Sequence, residues 1–454
     1  MHAQVFVASS LYGAATLAAA LDAGCFEPAD RRLLLVSNNA SPPETVPALD
    51  RMAGFERLRD RFDRVLSWND VIRPFHPGSW GPRPDDVPLW ERYLRLLWGL
   101  GTPHQDSVRL VLESLQAKPA QTLAQLFPEA PIDVYADGLM SYGPTRDKLD
   151  PLIGTRVARL LHLDLLPGLE PLLLTEFGVP AEVVPTKAFT DVLAELATDC
   201  PPAVTRQRDR PAPALLLGQY LSALGILSAD EEERLHVRML RGAVALGHRN
   251  LVFKPHPVAP AGHSRALESA AEQLGVRLTV LETPVLAETL YERLRPALVV
   301  GCFSTALVTA ATYYRLPVAR TGTDILLERL TPYQNSNRVP VTLVDAVLPD
   351  VEDPAAVAAW QPPDEAWVRE TLTGLVRAVG FCMQARLHPG LRADAERYLN
   401  TRLDERTWAY FKRRRLTALA LPGALPRQLA FLPRNRAVRR VARRARRLKR
   451  VALR

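Results

Sequence analysis

Residues 199–213 read Asp-Cys-Pro-Pro-Ala-Val-Thr-Arg-Gln-Arg-Asp-Arg-Pro-Ala-Pro and run directly into Ala214-Leu215-Leu216-Leu217-Gly218-Gln219. Four prolines and five charged residues among fifteen cannot build a core, so the stretch reads as a linker. The apolar run after it reads as the first strand of a second unit, and the linker divides the chain into two halves.

Both halves have one rhythm. Gln4–Ala8 is a short apolar strand, followed by Ser9, Ser10 and Gly13 and an Ala/Leu-rich helix to about Ala23. Further apolar runs at Leu33–Val36, Val108–Leu112 and Ile132–Tyr135 alternate with helical stretches. In the second half the matching runs are Leu251–Lys254, Arg277–Leu281 and Ala297–Val300. Continuous apolar runs between helices point to parallel sheets covered on both faces. The expected architecture is α/β: a Rossmann-like unit over 1–198, the linker 199–213, and a second Rossmann-like unit over 214–363. Helices over 364–411 then pack back on the first unit, one of them running from about Asp364 to Met383, and a basic tail occupies 412–454. A ligand belongs in the cleft between the two sheets.

Three short motifs follow predicted strands. Val134-Tyr135-Ala136-Asp137-Gly138 places an acid at a strand end, where it could take a proton from a hydroxyl; the same dipeptide also makes an ordinary turn. In Val252-Phe253-Lys254-Pro255-His256-Pro257, two prolines frame one imidazole that could donate toward a phosphate, or serve the loop alone. Lys254 adds positive charge there or is solvated. In Val299-Val300-Gly301-Cys302-Phe303-Ser304-Thr305, hydroxyls open a helix at a glycine turn, which caps that helix and equally cradles an anion.

Base, phosphate-directed acid and phosphate cradle, in this order, resemble the bacterial sialyltransferases of GT-B fold, in particular the alpha-2,8-polysialyltransferase-type family, over roughly residues 1–345. The resemblance implies Asp137 as general base and His256 assisting departure of CMP. It also implies Ser304 and Thr305 on the CMP phosphate, and Gly218 and Gln219 beside the donor, with Lys254 and Pro257 near it. Glu288, in Pro284-Val285-Leu286-Ala287-Glu288, falls where the family puts a carboxylate on the ribose hydroxyls. Such enzymes invert the anomeric carbon in one displacement, use CMP-sialic acid as donor, and need neither metal nor other cofactor. The chain departs from the family at one place: paired acids often precede the glycine, whereas here Ala136 precedes Asp137. A GT-B phosphotransferase using a CDP-glycerol-type donor is the alternative, and a membrane-bound scaffold without activity the second. A related nonulosonate or Kdo remains open as the transferred sugar.

Composition agrees with a globular body, at 47% hydrophobic and 23% charged residues. The net charge of +8 is unevenly placed: residues 412–454 carry 16 Lys or Arg and no acid, which leaves −8 on residues 1–411. Within the tail Val438, Val441, Ala445, Leu448 and Ala452 recur at helical spacing, and Arg439, Arg440, Arg443, Arg444, Arg446 and Arg447 fill the other faces. That pattern fits a helix lying on an anionic membrane surface better than a nucleic-acid tail or a solvated extension. The upstream segment Leu416–Leu432 is apolar and broken by prolines, and could rest at the same interface. Four scattered cysteines form neither a disulfide framework nor a zinc site, no basic residue precedes the apolar stretch Leu11–Cys25, and no run reaches membrane-spanning length. The expected setting is cytoplasmic, peripheral on the inner face of the cell membrane, with a nucleotide-sugar donor, a glycan acceptor and an anionic membrane surface as partners, and no nucleic acid.

Overall fold

The computed structural model describes residues 1–200, 211–256, 264–281 and 283–424. Two parallel sheets organise it. The first contains β1 (His2–Ala8), β2 (Arg31–Val36), β3 (Arg64–Ser67), β4 (Ser107–Leu112), β5 (Ile132–Ala136), β6 (Val157–Leu163) and β7 (Ala181–Val184), in the order β3-β2-β1-β4-β5-β6-β7. The second contains β8 (Ala214–Leu217), β9 (Asn250–Lys254), β10 (Arg277–Val280), β11 (Leu298–Gly301) and β12 (Val318–Arg320), in the order β10-β9-β8-β11-β12. In both sheets the order turns back beside the first strand, so β1–β4 and β8–β11 frame the crevices where such sheets take ligands. Two Rossmann-like sheets joined in this way form a GT-B layout.

Burial explains the apolar runs. Along β1, Ala3, Val5 and Val7 enter one layer with Leu33, Leu35, Trp98 and Leu110, while Phe6 and Ala8 enter the other with Leu34, Val36 and the helix Leu11–Asp22. A strand buried on both faces keeps no polar alternation. Trp68 and Trp98 fill the outer layer and are fully buried.

The halves meet closely. The helix Thr186–Ala197 lies against both Leu11–Asp22 and Ala287–Leu294. Phe189 sits between Tyr12 (ring centroids 5.2 Å) and Tyr313 (6.1 Å), and the Arg293 guanidinium donates to the carbonyls of Ala197 and Thr198. Of the linker, Asp199 and Cys200 pack on the first half: Asp199 pairs with Arg57 at 2.9 Å and Cys200 is buried. Residues 201–210 lie outside the described residues.

The expected helix from Asp364 to Met383 is one helical path in three parts: Glu365–Trp367, a wider π-type turn over Val368–Leu372, and Thr373–Gln384. It touches both halves, the helix Arg338–Val347 on one side and Leu172 on the other, where a Cβ on Gly380 would come 2.7 Å from Leu172 Cδ1.

The start of the basic tail differs from the sequence reading. Residues Arg413–Ala418 form a helix seated on the body: Leu416 and Leu421 are buried, and the Arg415 Nε donates to the Cys382 carbonyl at 2.6 Å. Leu416 therefore belongs to the core and not to a membrane interface. The tail arginines Arg439, Arg440, Arg443, Arg444, Arg446 and Arg447 lie outside the described residues. Among the described residues no helix is long and apolar enough to cross a membrane, and the four cysteines are free.

Candidate active site

A cavity of about 350 Å³ opens between the carboxyl ends of the two sheets. Its walls include Glu113, Asp137 and Gly138 from the first half and Gln219, Tyr220, His256, Ser304 and Thr305 from the second. Six of the residues singled out in the sequence thus face one space, although up to 168 positions separate them along the chain.

Asp137 follows β5, beside the turn after β1. A Cβ on Gly13 would lie 3.2 Å from Asp137 Oδ2 and 3.0 Å from the Tyr135 hydroxyl, which donates to the Val7 carbonyl at 2.9 Å. Burial pushes the Asp137 carboxyl up to about 6, partly offset by a bond from its own backbone N–H. Asp133, four residues earlier, does a different job: it is fully buried and held by Arg109 and Arg159, each at 3.1 Å.

The ordinary turn that the Asp137-Gly138 dipeptide offered does not explain the glycine. Its φ of −143° is extended backbone open to any residue. What demands glycine is proximity, because a Cβ there would come 3.0 Å from Thr305 Oγ1, and the neighbouring Leu139 N–H donates to that same oxygen at 3.3 Å. The Asp-Gly segment is therefore seated against the N-terminus of the helix Thr305–Thr312. Ser304 caps this helix, its hydroxyl accepting from the Ala306 N–H at 3.2 Å.

Gly218 likewise serves close approach. Its N–H donates to the Lys254 carbonyl at 2.8 Å, and a Cβ would meet Phe253 Cζ at 2.9 Å and Pro255 Cα at 3.1 Å. The ends of β8 and β9 are drawn together, and with them the two loops that carry Tyr220 and His256. Those rings lie 3.9 Å apart at 32°. The Tyr220 loop is fixed from behind by Glu232, fully buried, whose carboxylate accepts from the Leu221 N–H at 2.6 Å and the Ser222 N–H at 3.0 Å. Gln219 is buried, its N–H donating to His236 Nε2 at 3.1 Å. Burial and then the Lys254 charge push the His256 imidazole down to about 4, with Glu232 opposing.

Lys254 and Glu288 sit behind the cavity wall rather than in it. Lys254 is 8% exposed, so the solvated alternative does not hold; burial lowers its ammonium to about 8 against the pull of Glu288. Glu288, 3% exposed at the start of the helix Ala287–Leu294, is raised by burial to about 7. Pro257 lies outside the described residues. Among the described residues no group of three or more His, Cys, Asp or Glu is arranged to hold a metal ion.

A model of the alpha-2,8-polysialyltransferase family matches residues 4–322. The chain belongs to that family. It is accordingly a glycosyltransferase, of the sialyltransferase kind. The reading as a scaffold without activity falls away. Solved structures similar to this chain include a sialyltransferase from Photobacterium damselae (residues 113–497, the GT-B domain), 12% identical over 76% of this chain and 96% of that one, with a TM-score of 0.39. MurG from Acinetobacter baumannii is 13% identical over 86% and 94%, TM-score 0.38, and the UDP-GlcNAc 2-epimerase from Methanocaldococcus jannaschii is 13% identical over 79% and 91%, TM-score 0.45. No match to a curated protein was found.

Sequence reasoning missed Glu113, Tyr220 and Asn337 on the cavity wall. Glu113 had a legible signal, an acid directly after the predicted strand Val108–Leu112, and Tyr220 directly follows Gln219. Asn337 precedes the helix Arg338–Val347, with no local mark that it faces a ligand. Glu113 is held by Ser9, whose N–H and hydroxyl both donate to its Oε2, at 3.1 and 2.7 Å. Burial and then the Asp137 charge raise its carboxyl to about 7, while the Ser9 bonds oppose the rise. A second acid therefore reaches Asp137 from the neighbouring strand β4, in a chain that has alanine at position 136.

Proposed function

We propose that the enzyme transfers sialic acid from CMP-sialic acid to a hydroxyl of a glycan acceptor, with inversion and without a metal ion. One observation carries the proposal: the Asp137-Gly138 segment meets the helix N-terminus at Ser304 and Thr305 across a cavity that also holds His256. In this reading the acceptor hydroxyl approaches Asp137, which takes its proton as the new carbon–oxygen bond forms. A carboxyl near 6 is ionised at neutral pH yet basic enough to serve.

The bond from the anomeric carbon to phosphate breaks on the opposite side, and CMP leaves with one more negative charge than it carried as a diester. That charge is met by the positive end of the helix Thr305–Thr312, by the two hydroxyls, and by His256. Burial and the Lys254 charge favour neutral His256, which offers a hydrogen bond; the arriving anion raises its proton affinity. A single phosphate can be stabilised in this way without a divalent ion. Glu288 and Lys254, behind the wall, tune the charge of the donor side. We place the enzyme on the inner face of the cell membrane, held by the basic segment beyond residue 424.

CMP release from CMP-sialic acid, with acceptor and with or without EDTA, tests the reading. Release should survive EDTA and fall by about 100-fold or more in Asp137→Asn and in His256→Ala. Full activity of Asp137→Asn, or loss of activity on chelation, would refute it.

A further inference from the structure

We propose that Glu113, clamped by Ser9, is a positioning residue that shares a single proton with Asp137 on the acceptor wall of the cavity. The inference rests on Asp137 as base and assigns the group that controls its charge.

Its geometry is unusual for an acid. β4 and β5 are neighbours in register, with Leu112 opposite Val134, so the first residue past β4 reaches the same wall as the residue past β5. Both carboxyls line the cavity. Ser9, at the end of β1 on the other side of β4, spends both its donors on Glu113 Oε2. An added proton on Glu113 therefore belongs on Oε1, the oxygen Ser9 leaves free for another partner. On the helix Leu11–Asp22, Gly13 stands beside Asp137, with the capping Ser10 hydroxyl next to the same spot. The Tyr135 hydroxyl is spent on the Val7 carbonyl, and Tyr12 shares a hydrogen bond with Thr309. From the second half Glu288 feels the Asp137 charge and Lys254 opposes Glu288, while His256 lines the same cavity and Thr305 is a neutral neighbour of Gly138.

Two carboxyls so placed cannot both ionise at low cost. With one proton, Asp137 remains an ionised base while Glu113 is neutral, and the wall carries one negative charge. With none it carries two, facing a donor that is itself an anion through its phosphate. When the acceptor proton passes to Asp137 the pair holds two protons, and one returns to solvent before the next turnover. Burial raises both carboxyls, and the Asp137 charge raises Glu113 further, so the pair gives up its first proton more readily than its second.

The test is the pH profile of kcat/KM for CMP-sialic acid between about pH 5 and 9. Wild type should rise through about 6 and then fall, approaching tenfold per pH unit, as the donor KM climbs. Glu113→Gln should lose the alkaline fall, whatever its absolute rate. Ser9→Ala, which removes the hydroxyl bond to ionised Glu113 and keeps the bond from the backbone N–H, should move the fall to higher pH. Glu288 titrates in the same range, so Glu288→Gln is run alongside. An unmoved alkaline limb in Glu113→Gln, or its loss in Glu288→Gln, overturns the inference. Retained transfer in Asp137→Asn sinks the base assignment itself, a result distinct from an unmoved limb.

Discussion

Replacing Gly218 by alanine isolates what holds His256 in place. The new methyl would arrive 2.9 Å from Phe253 Cζ, 3.1 Å from the Lys254 carbonyl and 3.1 Å from Pro255 Cα. Two of these three atoms are backbone, so no flexible side chain can simply swing away, and the ends of β8 and β9 must part by several tenths of an ångström. Overpacking of this kind costs about 1–3 kcal/mol, and each kcal/mol lowers Tm by roughly 2–4 °C in a domain of this size. The same displacement is passed to the Tyr220–His256 pair, because both loops start at the strained strand ends. Misplacement by 1 Å can cost about 100-fold, so a few tenths should lower kcat/KM on the order of tenfold. Thermal unfolding and CMP-release kinetics measure the two effects. Gly390→Ala is the reference, since a Cβ there meets nothing within 4 Å. If Gly218→Ala matched Gly390→Ala in both Tm and kcat/KM, the idea that this glycine sets the spacing of the His256 loop would be wrong.

Thr305→Val keeps the shape of the side chain but removes the oxygen that accepts from the Leu139 N–H; we expect a loss of about 1–3 kcal/mol in stability and a fall in kcat/KM, read from urea unfolding and CMP release. Stability should depend on pH through the buried carboxyls. Asp137, Glu113 and Glu288 are all raised on folding, so the folded state holds their protons more tightly. Their contribution is greatest below pH 4 and is lost as pH climbs to about 7. Asp137→Asn and Glu288→Gln should therefore raise Tm at pH 8 and do so much less at pH 4; a benefit confined to acid pH would contradict the argument. A chain cut after Ala424 retains the buried Leu416 and Leu421, so it should fold, yet it should lose flotation with anionic liposomes. Equal flotation of the shortened chain would remove the tail from the membrane proposal.

The legible part of the fold was its centre. β1, β2, β4, β5, β8, β9 and β11 are buried on both faces, so each prints itself as an apolar run. Of the edge strands only β10 was legible, from its apolar positions and although none of its residues is buried; β3, β7 and the three-residue β12 were not, since Arg64 leads the first and in β7 only Val184 is buried. β6 escaped because Arg159 and His162 interrupt its pattern. In the folded chain Arg159 is neutralised by Asp133 and Glu182 and lies over the Phe26 ring, a solution assembled from three other elements. The Asp137, His256 and Ser304 motifs were legible for the same reason as the central strands, since each sits directly past one. The role of Gly138 was not, because the atom that excludes a larger residue belongs to Thr305, 167 positions away.

Glu113 marks the boundary more sharply. Its local signal was as good as that of Asp137, an acid on the first residue past a buried strand. What gave it meaning was strand order: β4 lies between β1 and β5, so Ser9, Glu113 and Asp137 form a row across three strand ends. Sequence spacing conveys none of this, because a parallel sheet puts side by side residues separated by whatever length of helix and loop the crossovers require. The second sheet repeats the logic with β9, β8 and β11, whose ends carry His256, Gln219 and Ser304. Each half therefore brings a row of three strand ends to the cleft, acids on one side and anion-directed groups on the other. On the mechanism proposed above, that polarity hands the acceptor hydroxyl and the departing phosphate to different halves of the molecule.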